Sequence, residues 1–129
     1  MPIHIEVHSA PSYVEAIYTG SLADGEMGAA AGEVTSLARK HGTSLSLADC
    51  TALGDSLSLL DLLEFASGLA KDPADRSIRD AVVLPRLPFW DEALRLWESA
   101  CLDQGLVVCS FYDRKSALAW LLGPPKPTP

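Results

Sequence analysis

The sequence predicts an α/β domain, a mixed, mostly parallel five-stranded sheet with about four helices. Three observations lead there. Short apolar runs alternate along the chain with segments whose apolar residues recur at helical spacing. All nine prolines fall outside both kinds of segment, as residues that break helix and ladder hydrogen bonding should. The stretch Val107-Val-Cys-Ser-Phe-Tyr-Asp-Arg-Lys-Ser-Ala-Leu-Ala-Trp-Leu-Leu-Gly123 reads as a buried strand, a capped turn and a closing helix.

Each element has its own justification. Ile3, Ile5 and Val7 alternate with His4, Glu6 and His8, the period of a strand with one buried face. Ser9 to Ser12 then turns the chain into an antiparallel partner, Tyr13 to Thr19, which Gly20 ends. Ser21 to Asp24 resembles a capping box, and Met27, Ala30, Ala31, Val34, Leu37 and Ala38 give the following helix its apolar face up to Gly42. Gly25, Gly28 and Gly32 predict either a small-residue face for close packing or a mobile segment. Leu45 to Asp49 is the third strand. Leu59, Leu62, Leu63, Ala66 and Leu69 stripe the next helix, with Asp61, Glu64 and Lys71 on its wet side. Ile78 to Leu84 and Leu106 to Cys109 are apolar runs expected of strands buried on both faces.

Between those two runs, Trp90, Leu94, Trp97 and Cys101 mark a helix with Asp91 and Glu92 in its first turn and a stop at Gly105. In the last helix Asp113 is placed to cap the amide of Ser116. Leu118, Leu121 and Leu122 form its apolar face, Trp120 packs on the sheet, and Gly123 closes it. Residues 1–123 thus read as one domain and 124–129, Pro-Pro-Lys-Pro-Thr-Pro, as an extended flexible tail.

Composition narrows the function classes. At 129 residues the chain buries roughly two-thirds of its unfolded surface, and its 48% hydrophobic and 21% charged residues suit a globular protein. A net charge of -7, with no Lys/Arg cluster, disfavours nucleic acid. No signal segment or membrane span is visible, and the expected location is cytoplasmic. Cys50, Cys101 and Cys109 form no C-x-x-C pair and suit a reducing compartment as buried, inert thiols.

The candidate chemistry is sparse, with no cofactor motif and no catalytic constellation. His4, Glu6 and His8 share a strand face, but neighbours there stand ~7 Å apart and the outer pair ~13 Å, so they read as a solvated face and no metal site is expected. His41 beside Gly42 favours a helix C-terminal dipole. Asp49, Arg86 and Asp113 fall near the C-terminal ends of three strands, the edge where open α/β sheets bind ligands. Phe89 and Trp90 are adjacent and cannot share one stripe, so one of them faces solvent or a partner such as a dimer mate.

Two stretches resemble the STAS superfamily, and particularly its SpoIIAA-like branch of anti-sigma-factor-antagonist-like domains. They are Ser-Leu-Ala-Asp49-Cys-Thr-Ala-Leu-Gly-Asp55-Ser56-Leu57-Ser58-Leu-Leu and the closing Ser-Phe-Tyr-Asp-Arg-Lys-Ser-Ala-Leu-Ala-Trp-Leu. The likeness spans roughly Ile3 to Gly123 and implies a small βα regulatory domain that binds a protein. Antagonists of this kind carry Asp-Ser-Ser-Gly at a helix start, with the second Ser phosphorylated to release the partner. Here Asp55 and Ser56 match the first two positions, Leu57 stands in place of the modified Ser, and Ser58 stands in place of Gly. The loop from Asp49 to Asp55 is also shorter. The resemblance therefore implies a partner surface around Asp55, Ser56 and Ser58, with Ser56 or Ser58 substituting as the switch. A phosphate there meets unpaired helix amides and repels acidic partners; otherwise Asp55 and Ser56 simply cap the helix.

The resulting expectation is a non-enzymatic STAS-like interaction domain. The alternative is a small-molecule or lipid-binding domain with a pocket at the C-terminal sheet edge, lined by Met27, Trp90 and Arg86.

Overall fold

The computed structural model describes residues 3–20, 22–23, 25–54, 57–70, 78–86 and 90–123. Five strands, β1 (Ile3–Ser9), β2 (Ser12–Thr19), β3 (Leu45–Ala52), β4 (Arg79–Val83) and β5 (Val107–Phe111), lie in the sheet in sequence order. β1 pairs antiparallel with β2, and every later pair is parallel. Four helices, α1 (Glu26–Lys40), α2 (Leu59–Leu69), α3 (Asp91–Asp103) and α4 (Arg114–Leu122), complete the fold class read from the sequence.

The strand order dictates the layers. Parallel neighbours joined by crossovers of one hand send every crossover helix to the same face, and α1, α2 and α3 do bury one face of the sheet. Val14, Ala16, Tyr18, Ala48, Cys50, Val82 and Val108 meet Met27, Ala31, Leu62, Phe65, Leu94 and Trp97 there. α4 follows the last strand and packs on the opposite face, where Tyr13, Leu47, Ala81, Val83, Ala117 and Leu121 form a smaller core. Trp120 lies against Phe111, with ring centroids 5.8 Å apart, and under the Arg79 guanidinium at 4.2 Å.

Gly28 of α1 and Gly68 of α2 serve close packing. A Cβ on Gly28 would sit 2.8 Å from the Glu64 carbonyl oxygen, and one on Gly68 would overlap the Gly28 carbonyl oxygen. The two helices meet backbone to backbone, a separation only glycine permits. α3 joins them through Trp97, whose ring nitrogen donates to the Leu62 carbonyl at 3.0 Å.

Several elements differ from the sequence reading. The capping box at Ser21 and Asp24 lies outside the described residues. α1 instead starts after Gly25, whose φ of 82° needs no Cβ and which has no side chain to cap the helix. Val7, on the edge strand β1, is 40% exposed, whereas Ile3 and Ile5 of the same strand pack against the core. β3 runs on to Ala52. α2 is rotated so that Leu62, Phe65, Ala66, Gly68 and Leu69 are buried, leaving Leu59 and Leu63 outside. Because β5 is a sheet edge, Val107 is exposed while Val108 is buried. The expected tail, 124–129, lies outside the described residues.

Candidate functional site

The start of α2 is built by a dense set of local signals. Leu53 and Leu57 are buried and pin the connection from β3 to the core. Ser58 is the N-cap: its hydroxyl accepts from the Asp61 amide at 3.2 Å, and the Asp61 carboxylate accepts from the Ser58 amide at 2.9 Å. This is a complete capping box, and the buried Leu57 and Leu62 occupy the two positions of a hydrophobic staple. The helix end is therefore rigid, and Ser58 rather than Asp55 or Ser56 does the capping. Asp55 and Ser56 lie outside the described residues.

Immediately beyond the cap, Leu59, Leu60 and Leu63 are 45%, 56% and 50% exposed. α2 thus carries two apolar faces, of which the sheet and its neighbours bury one. The other borders a depression of about 570 Å³ along the α1–α2 seam, lined by Gly28, Ala29, Leu60, Leu63, Glu64 and Ser67 among others. The Glu64 carboxylate accepts from the Gly25 amide at 2.8 Å, tying the α2 surface to the first turn of α1.

The remaining sequence candidates occupy separate places. Asp49 sits within β3 and accepts from the Thr51 amide at 3.1 Å and the Thr51 hydroxyl at 2.6 Å. Arg86 is exposed and stacks over the Tyr112 ring at 4.3 Å, while the Tyr112 hydroxyl donates to Asp91. Asp113 caps α4, accepting from the Ser116 amide at 2.7 Å, and those bonds hold its carboxyl below the ordinary range. Asp49, Arg86 and Asp113 are each engaged in local contacts of their own. Met27 is fully buried in the core. Trp90 is half-buried at the start of α3, and its neighbour Phe89 lies outside the described residues.

Sequence reasoning missed two buried acids, Glu15 and Asp80. Glu15 is 1% exposed on the α4 side, where Arg114 clamps both its oxygens, one at 2.9 Å. His8 reaches Glu15 at 3.1 Å and Glu6 at 3.6 Å, and stacks on Tyr13 at 4.3 Å. Glu6, His8 and Glu15 bring three ligand atoms within 4.8 Å of one another, a convergence across the hairpin that a single straight strand does not allow. Arg114 pairs with Glu15 and so offsets one of the two carboxylates of this cluster. On the opposite side of the sheet Asp80 is 1% exposed, with one oxygen accepting from the Ser46 hydroxyl and the other unpaired. Burial raises its pKa to about 8.

Burial also raises the thiols, Cys50 well above its ordinary value and Cys101 to about 11, which removes thiolate chemistry near neutral pH. No helix among the described residues is long and apolar enough to cross a membrane. Comparison with family models, with curated proteins and with solved structures found no match to this chain.

Proposed function

We propose that this chain is a non-enzymatic, STAS-like interaction domain that binds a protein partner through the start of α2. The observation that carries the reading is the exposed row Leu59, Leu60 and Leu63 beside a helix end fixed by a capping box. Leucines presented on a rigid element are ordered before binding, so docking costs little conformational entropy. The ligand-pocket alternative has less support, since Met27 is closed in the core and Arg86 is committed to Tyr112.

Ser58 gives this surface a means of regulation. Its hydroxyl is exposed, three residues from Asp61, and a phosphate there would set two anions against each other across the capping box. Affinity capture from source-cell lysate tests the proposal, comparing the native chain with Leu60→Asp, Leu63→Asp and Ser58→Asp. A specific partner lost with either leucine variant supports the reading. Equal capture by all four baits removes the α2 start as the binding surface.

A further inference from the structure

Resting on that reading of the α2 start, we infer that the seam between α1 and α2 receives a cationic amphipathic helix. The shape comes first. Leu60, Leu63 and Ser67 follow one another at helical spacing along α2, and Gly28 and Ala29 face the same depression from α1. Small residues on one wall and protruding leucines on the other make a groove that takes a partner helix through apolar residues spaced three and four apart. The groove continues past Ala29 into a second depression of about 440 Å³, lined by Ile3, Ile5, Ala29, Ala30, Glu26 and Glu33.

Charge then selects the occupant. Among the described residues, the ionisable ones lining these two depressions are Glu26, Glu33 and Glu64, with no lysine, arginine or histidine on either. Within α1 the only basic residues are Arg39 and Lys40, in its last turn, and α2 has none. The surface is thus an apolar strip rimmed by carboxylates on a protein of net charge -7. An anionic membrane or a second copy of this chain would be repelled. A helix with lysine or arginine flanking its apolar stripe gains both the contact and the field, which also raises the encounter rate.

The test uses three fluorescent peptides of about 14 residues, roughly four helical turns. One has leucines at helical spacing with lysine elsewhere, one has the same leucines with glutamate elsewhere, and one has the leucine–lysine composition scrambled. Binding to the full chain is read by anisotropy. The lysine peptide should bind at least about tenfold more tightly than either other peptide. Leu63→Gln or Ala29→Trp should weaken it by about tenfold or more, and Glu33→Gln should weaken it by about threefold and reduce its salt dependence. Leu63 and Ala29 are exposed, so a urea midpoint like that of the native chain shows that each variant folds. Equal binding of the scrambled peptide, no effect of Leu63→Gln, or concentration-dependent dimerisation through this face overturns the inference. If the glutamate peptide binds as well and Leu63→Gln abolishes both, the charge selection is refuted while the docking surface stands. If lysate capture still depends on Leu63 when no peptide binds, only the inferred occupant is wrong.

Discussion

Asp80→Asn should make the protein more stable at neutral pH, although it alters a fully buried residue of the central sheet. In the fold, burial lifts the Asp80 pKa from 3.8 to about 8. Between those values the unfolded chain has released a proton that the folded chain keeps, so stability falls as pH rises through this window and levels off above it. At 1.36 kcal/mol for each pKa unit, the cost accumulated by pH 7 is about 4 kcal/mol, and the full span costs about 6 kcal/mol. Asparagine is neutral at every pH and keeps an oxygen for the Ser46 hydroxyl, but its amide hydrogens replace an oxygen that is already unpaired. Leaving a buried donor unmade costs about 1–3 kcal/mol, for a net gain of about 2 kcal/mol at pH 7. Below about pH 4 the sign reverses, because the carboxyl is then neutral in both states and only the unpaired amide remains. Urea denaturation of both proteins at several pH values under reducing conditions measures the difference. Tyr18, Cys50 and Cys101, whose pKa values burial and the Asp80 charge raise, stay neutral in the fold over this window, and the remaining contributions cancel between the two chains. A difference that stays constant between about pH 4 and pH 8 would show that Asp80 ionises normally, and would refute the reasoning.

Further substitutions test the packing. Ser58→Ala removes one half of the capping box and should cost about 1 kcal/mol in urea denaturation. Gly68→Ala should cost about 1–3 kcal/mol by forcing α1 and α2 apart, whereas Gly32→Ala, whose Cβ would meet its nearest neighbour at 3.9 Å, should be neutral or stabilising by up to about 1 kcal/mol. Equal effects of the two would refute the close approach at Gly28 and Gly68. Arg114→Met should cost about 3 kcal/mol, the lower end for breaking a buried pair because Arg114 is partly exposed, and Glu15→Gln in the same chain should restore much of the loss.

The succession of elements was legible because apolar runs and helical stripes are properties of neighbouring residues. What required topology was not legible. Glu15 and Asp80 stand out as charges inside apolar runs, but their partners lie 99 and 34 residues away, and neither distance carries a local signal. The face of α2 was misread because leucines and a phenylalanine surround much of that helix, so several stripes fit and only the packing against α1, α3 and the sheet selects one. At the start of α2, Ser58 was singled out as a switch position while capping was assigned to Asp55 and Ser56, and the row of exposed leucines behind it was assigned in part to the core. The Asp113 cap was predicted correctly because a cap is a local motif whose acceptor and donor are three residues apart.

The Glu15–Arg114 pair has a consequence for synthesis. A ribosome delivers the chain from its N-terminus, so the hairpin of β1 and β2 emerges long before α4 exists. Until α4 arrives, the sheet face that carries Glu15 lies open to water, and its carboxylate stays solvated while the strands pair. Docking of α4 withdraws that water and supplies the Arg114 guanidinium in the same step, so the charge made early is paired as it is buried.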